Sequence, residues 1–301
     1  MSEPVKVNVV SYGGVKPGEM VVGNTKEGEK TAVFDASNAT SGNYMFQNCT
    51  GLTSWNVDLP SLTNGDYMFQ NCTGLTSWNA ELPSLTNGHS MFNGCTGLTS
   101  WNVELPSLTN GDYMFQYCTG LTSWNIELPN LTNGDYMFRG CTGLTSWNGT
   151  LTSLTKCEYM FHGCTGLTSW NVELPSLTDG RCMFNGCTGL TSCNVELPNL
   201  TNGSGMFWGC SKLTSWNIEL PNLTNGSGMF DGCYLSAESV KLILNSIPDR
   251  ASAGLAVATL GIGKRTNFKT DPDVKALLGE TGTEITAKTY SYKGWNVVVQ
   301  N

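Results

Sequence analysis

Charge is scarce in this chain of 301 residues: Lys, Arg, Asp and Glu together make up 13% of it, 16 basic against 24 acidic. A net charge of −8 without clusters of Lys or Arg excludes a nucleic-acid partner and an anionic membrane surface, because both need concentrated positive charge. No apolar run approaches the roughly 20 residues needed to cross a bilayer, so no transmembrane segment is expected. Met1-Ser2-Glu3-Pro4 carries neither a basic nor an apolar leader region, and no secretory signal is expected from it. Cys-x-x-Cys pairs are missing, which removes the commonest zinc frameworks, and neither a metal nor a cofactor is expected. Gly-rich phosphate loops, His-Glu-x-x-His helices and nucleophile elbows are missing too.

What the chain has is repetition. Gly is frequent at 35 residues, and Thr, Ser and Asn recur throughout, the profile of a turn-rich β protein. Nine cysteines, Cys49, Cys72, Cys95, Cys118, Cys141, Cys164, Cys187, Cys210 and Cys233, follow one another at intervals of 23 residues. Each closes a Met-Phe-x-x-Cys segment, and most are followed by Thr-Gly-Leu-Thr-Ser-Trp-Asn. A strict period of this length means stacked supersecondary units, none able to bury its apolar face alone. The fold expected is therefore a solenoid.

Within one unit, Trp78, Ala80 and Leu82 alternate with Asn79 and Glu81, the pattern of a strand with one face buried, and Pro83 stops it. Asn87-Gly88 and its copies are expected to supply a turn with positive φ. Met-Phe-x-x-Cys is too short for a long helix and is expected to form a helical turn or short strand that drops Phe and Cys inward. Parallel strands stacked at ~4.8 Å give about eight rungs, on the order of 40 Å. The expected interior ladders are Leu52, Leu75 and Leu98; Leu59, Leu82 and Leu105; Phe46, Phe69 and Phe92; and the cysteines, each with its later counterparts.

The motif Met-Phe-x-x-Cys-x-x-Leu-Thr-Ser-Trp, followed by Leu-Pro-x-Leu-Thr, resembles the BspA-like, treponemal-type leucine-rich repeats over roughly residues 44–235. The resemblance implies a leucine-rich-repeat-type solenoid of 23-residue repeats. Members of that family are commonly surface-displayed proteins that bind host or matrix components, and related repeats occur in phage-encoded proteins. Trp at the strand position, where the family usually has Ile or Leu, leaves core width and curvature open.

The chain divides on this reading into an N-terminal cap with a first atypical rung (1–43), the solenoid (44–235) and a small α/β C-terminal cap (236–301). In the first, residues 5–10 alternate as a strand, turns follow at 13–18, and 31–34 begin a rung. In the last, Ser236 caps a helix whose Val240, Ile243, Leu244 and Ile247 share one face. Residues 257–262 and 295–299 read as strands, and Asp271 to Leu278 as a short helix with Pro272 at its start.

Few residues stand out as chemistry. His89 and His162 lie three rungs apart, roughly 15 Å by strand spacing, and cannot share a catalytic site. No enzyme is expected. The ladder cysteines read as reduced, buried, small hydrophobes; Cys157, Cys182 and Cys193 break the pattern and read as the more reactive thiols. Asn56, Asn79, Asn102, Asn125, Asn148, Asn171, Asn194 and Asn217 form one column, expected to hydrogen-bond from rung to rung. Asp58, Glu81, Glu104, Glu127, Glu173, Glu196 and Glu219 form the next outward column, broken by Thr150, and read either as solvated surface or as a face for cations or a basic partner. Residues 44–233 hold 4 Lys and Arg against 13 Asp and Glu, a net of −9.

The two residues between Phe and Cys vary most, and are expected outside the core. Tyr117, Arg139, His162 and Trp208 at these positions give a candidate binding edge, with Asp66, His89, Asp112, Asp135, Glu158 and Arg181 nearby and Glu104 and Glu127 as candidate acidic contacts. Two functions remain open. One is a non-enzymatic recognition or adhesion protein of a cell surface or phage tail, binding a protein or glycan; the other is a structural spacer or virion component that assembles into an oligomer.

Overall fold

The computed structural model describes residues 38–253, 258–262, 269–282, 284–286 and 288–299. The expected N-terminal strand at 5–10, the turns at 13–18 and the first rung at 31–34 lie outside the described residues, as does Val257.

Parallel bridges link Ser41, Asn64, Asn87, Asn110, Asn133, Lys156, Asp179, Asn202 and Asn225 in an unbroken series. Each step is one 23-residue unit, so one unit is one coil and equivalent residues lie above one another. A second line of pairing runs through two-residue strands: β1 (Ser54–Trp55), β2 (Ser77–Trp78), β3 (Ser123–Trp124), β4 (Ser146–Trp147), β5 (Ser169–Trp170), β6 (Ser192–Cys193) and β7 (Ser215–Trp216). It is interrupted, giving β1–β2, β3–β4 and β5–β6–β7, all parallel and in register.

The strand is thus much shorter than the alternation from Trp78 to Leu82 implies, although Trp78, Ala80 and Leu82 are buried and Asn79 and Glu81 exposed. In the units that carry Trp the indole takes up one carbonyl, but β6, with Cys193 in its place, is equally short, so the indole alone does not set the length. Trp78 Nε1 donates to the carbonyl of Ala80 at 2.9 Å, and Trp55, Trp101, Trp124, Trp147, Trp170 and Trp216 repeat the bond two residues on. Each such bond engages a carbonyl that a longer ladder would use, and the following Pro has no N–H to offer.

In the last unit Met229-Phe230 belong to a strand, as expected, whereas in the units before it Met-Phe-x-x-Cys is neither a helical turn nor a strand but a run of overlapping turns. Amides of Met68, Gln70 and Cys72 donate to the carbonyls of Gly65, Tyr67 and Phe69, while those of Tyr67, Phe69 and Asn71 donate to His89, Met91 and Asn93 of the next rung. Every amide is paired by alternating within the coil and between coils. The expectation of positive φ at Asn-Gly is also corrected. Asn64 Oδ1 accepts from Asp66 N at 3.0 Å, and Asn87, Asn110, Asn133, Asn202 and Asn225 repeat this Asx turn. The glycine after it is there for space, since a Cβ on Gly88 would lie 2.7 Å from Met114 Sδ.

The Trp column settles the core width. Phe46 through Phe230 stack at 5.1–5.7 Å between ring centroids. Trp rings fit between them edge-on, at 4.8 Å for Trp78 on both Phe69 and Phe92. The result is an interlocked aromatic spine with the indole N–H already satisfied. Leu59, Leu75, Leu82, Leu98 and Leu105 are fully buried beside it, and Leu52 is partly so. Ladder cysteines from Cys72 onward donate Sγ–H to the Phe carbonyl of the preceding rung, as Cys72 does to Phe46 at 3.1 Å.

The last rung ends in β8 (Gly226–Phe230), followed by α1 (Ala237–Ser246), β9 (Ala258–Ile262), α2 (Pro272–Leu277), β10 (Thr289–Tyr292) and β11 (Trp295–Val299). Sheet order is β10-β11-β9-β8, so β9 and then β11 extend the parallel ladder and antiparallel β10 closes it. Ser236 caps α1, whose Val240, Ile243 and Leu244 are buried, as is Ile247 beyond it; Asp271 caps α2. No helix among the described residues is long and apolar enough to cross a membrane.

Candidate functional site: the turn side of the coil

Two columns on the turn side take left-handed backbone in every rung. The first is Tyr44, Tyr67, Ser90, Tyr113, Tyr136, Tyr159, Cys182, Gly205 and Gly228. A residue with a Cβ costs roughly 1–2 kcal/mol in this region. Stacking recovers part of that cost: centroids are 4.7 Å apart for Tyr44–Tyr67 and Tyr113–Tyr136, and 5.1 Å for Tyr136–Tyr159. Where Ser90 breaks the column, His89 fills it, its ring 5.1 Å from Tyr67 and 5.5 Å from Tyr113, with Nε2 2.9 Å from the Tyr67 hydroxyl.

The second column is Asn48, Asn71, Gly94, Tyr117, Gly140, Gly163, Gly186, Gly209 and Gly232. These are the second residues of the pairs between Phe and Cys, so most of their variation answers to backbone geometry. Only Tyr117 departs from Asn or Gly. The restriction is visible in the sequence, but its meaning needs the φ angles. The expectation that both pair positions lie outside the core is also corrected: Gln116 and Asp231 are buried, at 6% exposure each. First-position side chains lie along the neighbouring rung, as when Asn93 Nδ2 donates to Gln116 Oε1 at 2.9 Å.

Tyr117 is 44% exposed, and its ring lies over Gly140, where a Cβ would sit 2.5 Å from Cδ1. Arg139 sets its guanidinium 5.7 Å from the Tyr117 centroid and 5.7 Å from that of Tyr136. His162, one rung on, packs edge-on against Tyr159 at 5.4 Å. Burial, then the Arg139 charge, hold its pKa below the usual imidazole value, which favours the neutral ring at pH 7. Arg139 Nε and His162 Nδ1 are buried without hydrogen-bond partners. Trp208 is 55% exposed and lies two rungs beyond His162, so the structure brings Tyr117, Arg139 and His162 together and sets Trp208 apart. Glu104 and Glu127 are exposed on the acidic column, and among the described residues no hydrogen bond, ion pair or ring contact joins them to this cluster.

Alongside runs the Asp66 to Arg181 column. Arg181 contacts Glu158 at 3.5 Å and Asp179 at 3.3 Å. Burial raises the carboxyl pKa values of Asp112 and Asp135, although each accepts the next rung's amide, from Asp135 N at 3.1 Å and from Glu158 N at 2.6 Å.

Two other expectations change. Cys157, Cys182 and Cys193 are buried; burial pushes the thiol of Cys157 far up and that of Cys193 to about 12, so breaking the pattern does not make Cys157 or Cys193 reactive. Cys49 is the exposed thiol among the cysteines. The Asn56–Asn217 column bonds from rung to rung only at Asn125–Asn148 (2.9 Å) and Asn171–Asn194 (3.5 Å), because its exposed amides have water as an alternative. Threonine carries the continuous ladder instead: Thr63 Oγ1 donates to Thr40 O at 3.0 Å, and the bond recurs at each unit to Thr224. No group of three or more His, Cys, Asp and Glu among the described residues is placed to hold a metal.

The family model for the BspA type leucine rich repeat region matches residues 30–145 and 150–254, in six copies. No curated protein matches. Among solved structures, the chain is similar to a leucine-rich repeat protein from Bacteroides ovatus, at 20% identity over 76% of this chain and 77% of that one, with a TM-score of 0.30, too low to bear on the argument. The period, the Phe-x-x-Cys-x-x-Leu core and the family match agree, and the chain belongs to the BspA-type leucine-rich-repeat family.

Proposed function

We propose that the protein is a non-enzymatic recognition or adhesion protein, displayed on a cell surface or phage tail, that meets its ligand with the turn side of the coil. Repeats of this family generally serve protein interaction. The observation that carries the reading is where apolar surface is left uncovered. The exposed large hydrophobic residues among those described are Tyr44, Tyr117 and Trp208, and all three lie on the turn side. Tyr and Trp on an otherwise polar surface are the residue types that dominate binding energy. Tyr113, Tyr136 and Tyr159 cover one another's faces and present edges and hydroxyls. That arrangement suits hydrogen bonding to a protein better than stacking on a sugar ring. Glu104 and Glu127 belong, on this reading, to the solvated acidic column outside the contact face.

The test is an array of surface proteins and glycans probed with wild type and with a Tyr117→Ala/Trp208→Ala double variant. Truncating two such side chains should weaken binding at least tenfold, about 1.4 kcal/mol or more. Undiminished binding by the variant removes the turn side as the contact face.

A further inference from the structure

We infer that Tyr117 and Arg139 form a receptor for a carboxylate carried by a partner protein, an Asp or Glu side chain of the ligand; this names the ligand chemistry of the turn-side face proposed above and rests on that reading. The argument starts from backbone strain. Eight of the nine left-handed positions in the second column are Asn or Gly, and Tyr117 holds φ 59 among them. A strained conformation that does not serve packing points toward function. Tyr117 serves packing poorly, being 44% exposed over Gly140.

What Tyr117 does is hold Arg139. The guanidinium lies 5.7 Å from each of two tyrosine centroids, fixed before any ligand arrives. Asp135 stands on the same rung and Glu158 on the next, yet among the described residues no carboxylate reaches ion-pair distance of Arg139, whereas Arg181 contacts two. Arg139 Nε is buried without a partner, so part of the group's desolvation has already taken place in the free protein. A pinned, partly dehydrated guanidinium presents a planar fork, and the acceptor that matches that fork is a carboxylate. His162, one rung on and held toward its neutral form, adds no competing positive charge that would favour a dianionic phosphate.

A random dodecapeptide library displayed on phage tests the inference, selected in parallel on wild type, Arg139→Gln and Tyr117→Gly, with oligogalacturonate titrated against wild type. Enrichment of Asp- or Glu-containing peptides on wild type is expected, with each winner binding at least tenfold more weakly to both variants. Tyr117→Gly should not lower the melting temperature, because glycine relieves the left-handed position; weaker binding without destabilisation is what a merely structural tyrosine cannot produce. Acidic peptides that bind Arg139→Gln equally, enrichment of neutral peptides, no enrichment at all, or preference for oligogalacturonate would each overturn the inference. If neutral peptides win but lose affinity with the Tyr117→Ala/Trp208→Ala variant, the turn-side reading stands and only the carboxylate receptor falls.

Discussion

Ser90 occupies a position where neighbouring rungs carry tyrosine, and the residue before it, His89, occupies one where they carry Asp66 and Asp112. The two departures compensate each other in space: the imidazole takes the place of the missing ring and accepts or donates at the Tyr67 hydroxyl. Replacing His89 with Ala should therefore cost about 1–2 kcal/mol, from two lost ring contacts and one hydrogen bond. The combined change His89→Asp/Ser90→Tyr restores the neighbouring Asp-Tyr pair and should recover most of that loss. Urea midpoints at constant slope measure both. If the double variant is no more stable than His89→Ala, the column is not a cooperative stack. In the sequence this pair is legible only as two oddities in one unit; that they are one substitution depends on side-chain directions set by left-handed backbone, which composition and period do not reveal. Tyr117 stands out in the sequence by its chemistry alone, and only the backbone φ of 59 shows its strain.

At the scale of the element, period and alternation were enough to identify the inward residues, because a repeating coil puts every equivalent side chain in the same surroundings. Pairing was less legible. The two-residue strands are equally short with Trp or with Cys193 at their end, and Met-Phe-x-x-Cys depends on amides alternating between turn and ladder, neither of which has a composition signature. At Asn-Gly, space rather than φ decides for glycine, a distinction that the residue pair alone does not carry. This makes two glycines differ in a measurable way. A Cβ on Gly88 meets Met114 Sδ at 2.7 Å, the flexible end of a side chain; a Cβ on Gly120 meets the Thr96 carbonyl oxygen at 2.6 Å, fixed in the backbone of the preceding rung. Gly88→Ala should cost about 1 kcal/mol as the methionine shifts, and Gly120→Ala about 3 kcal/mol because two coils must separate. Equal unfolding midpoints for the two variants would show that the coils yield as easily as a methionine does.

For the whole molecule, stability approximates a sum of rungs and the contacts between them, so the open ends matter more than any interior unit. A coil end presents unpaired amides that would template another chain. At the C-terminal end α1 replaces the next strand, and its hydroxyls take over the role of ladder carbonyls: Ser239 Oγ accepts from Trp216 N at 2.8 Å, and Ser246 Oγ from Leu220 N at 3.3 Å. Trp216 and Leu220 are both buried, so water is a poor substitute for those acceptors. The Ser239→Ala/Ser246→Ala double variant should lose about 2–4 kcal/mol, since each orphaned buried amide costs roughly 1–3 kcal/mol. The loss should concentrate at one end: hydrogen exchange should speed up in the rungs nearest the cap while the amides between Thr86 and Thr132 keep wild-type protection. Uniform acceleration along the coil would instead mean that the solenoid and its cap unfold as a single unit, and that the serine hydroxyls stabilise the whole array rather than sealing its last rung.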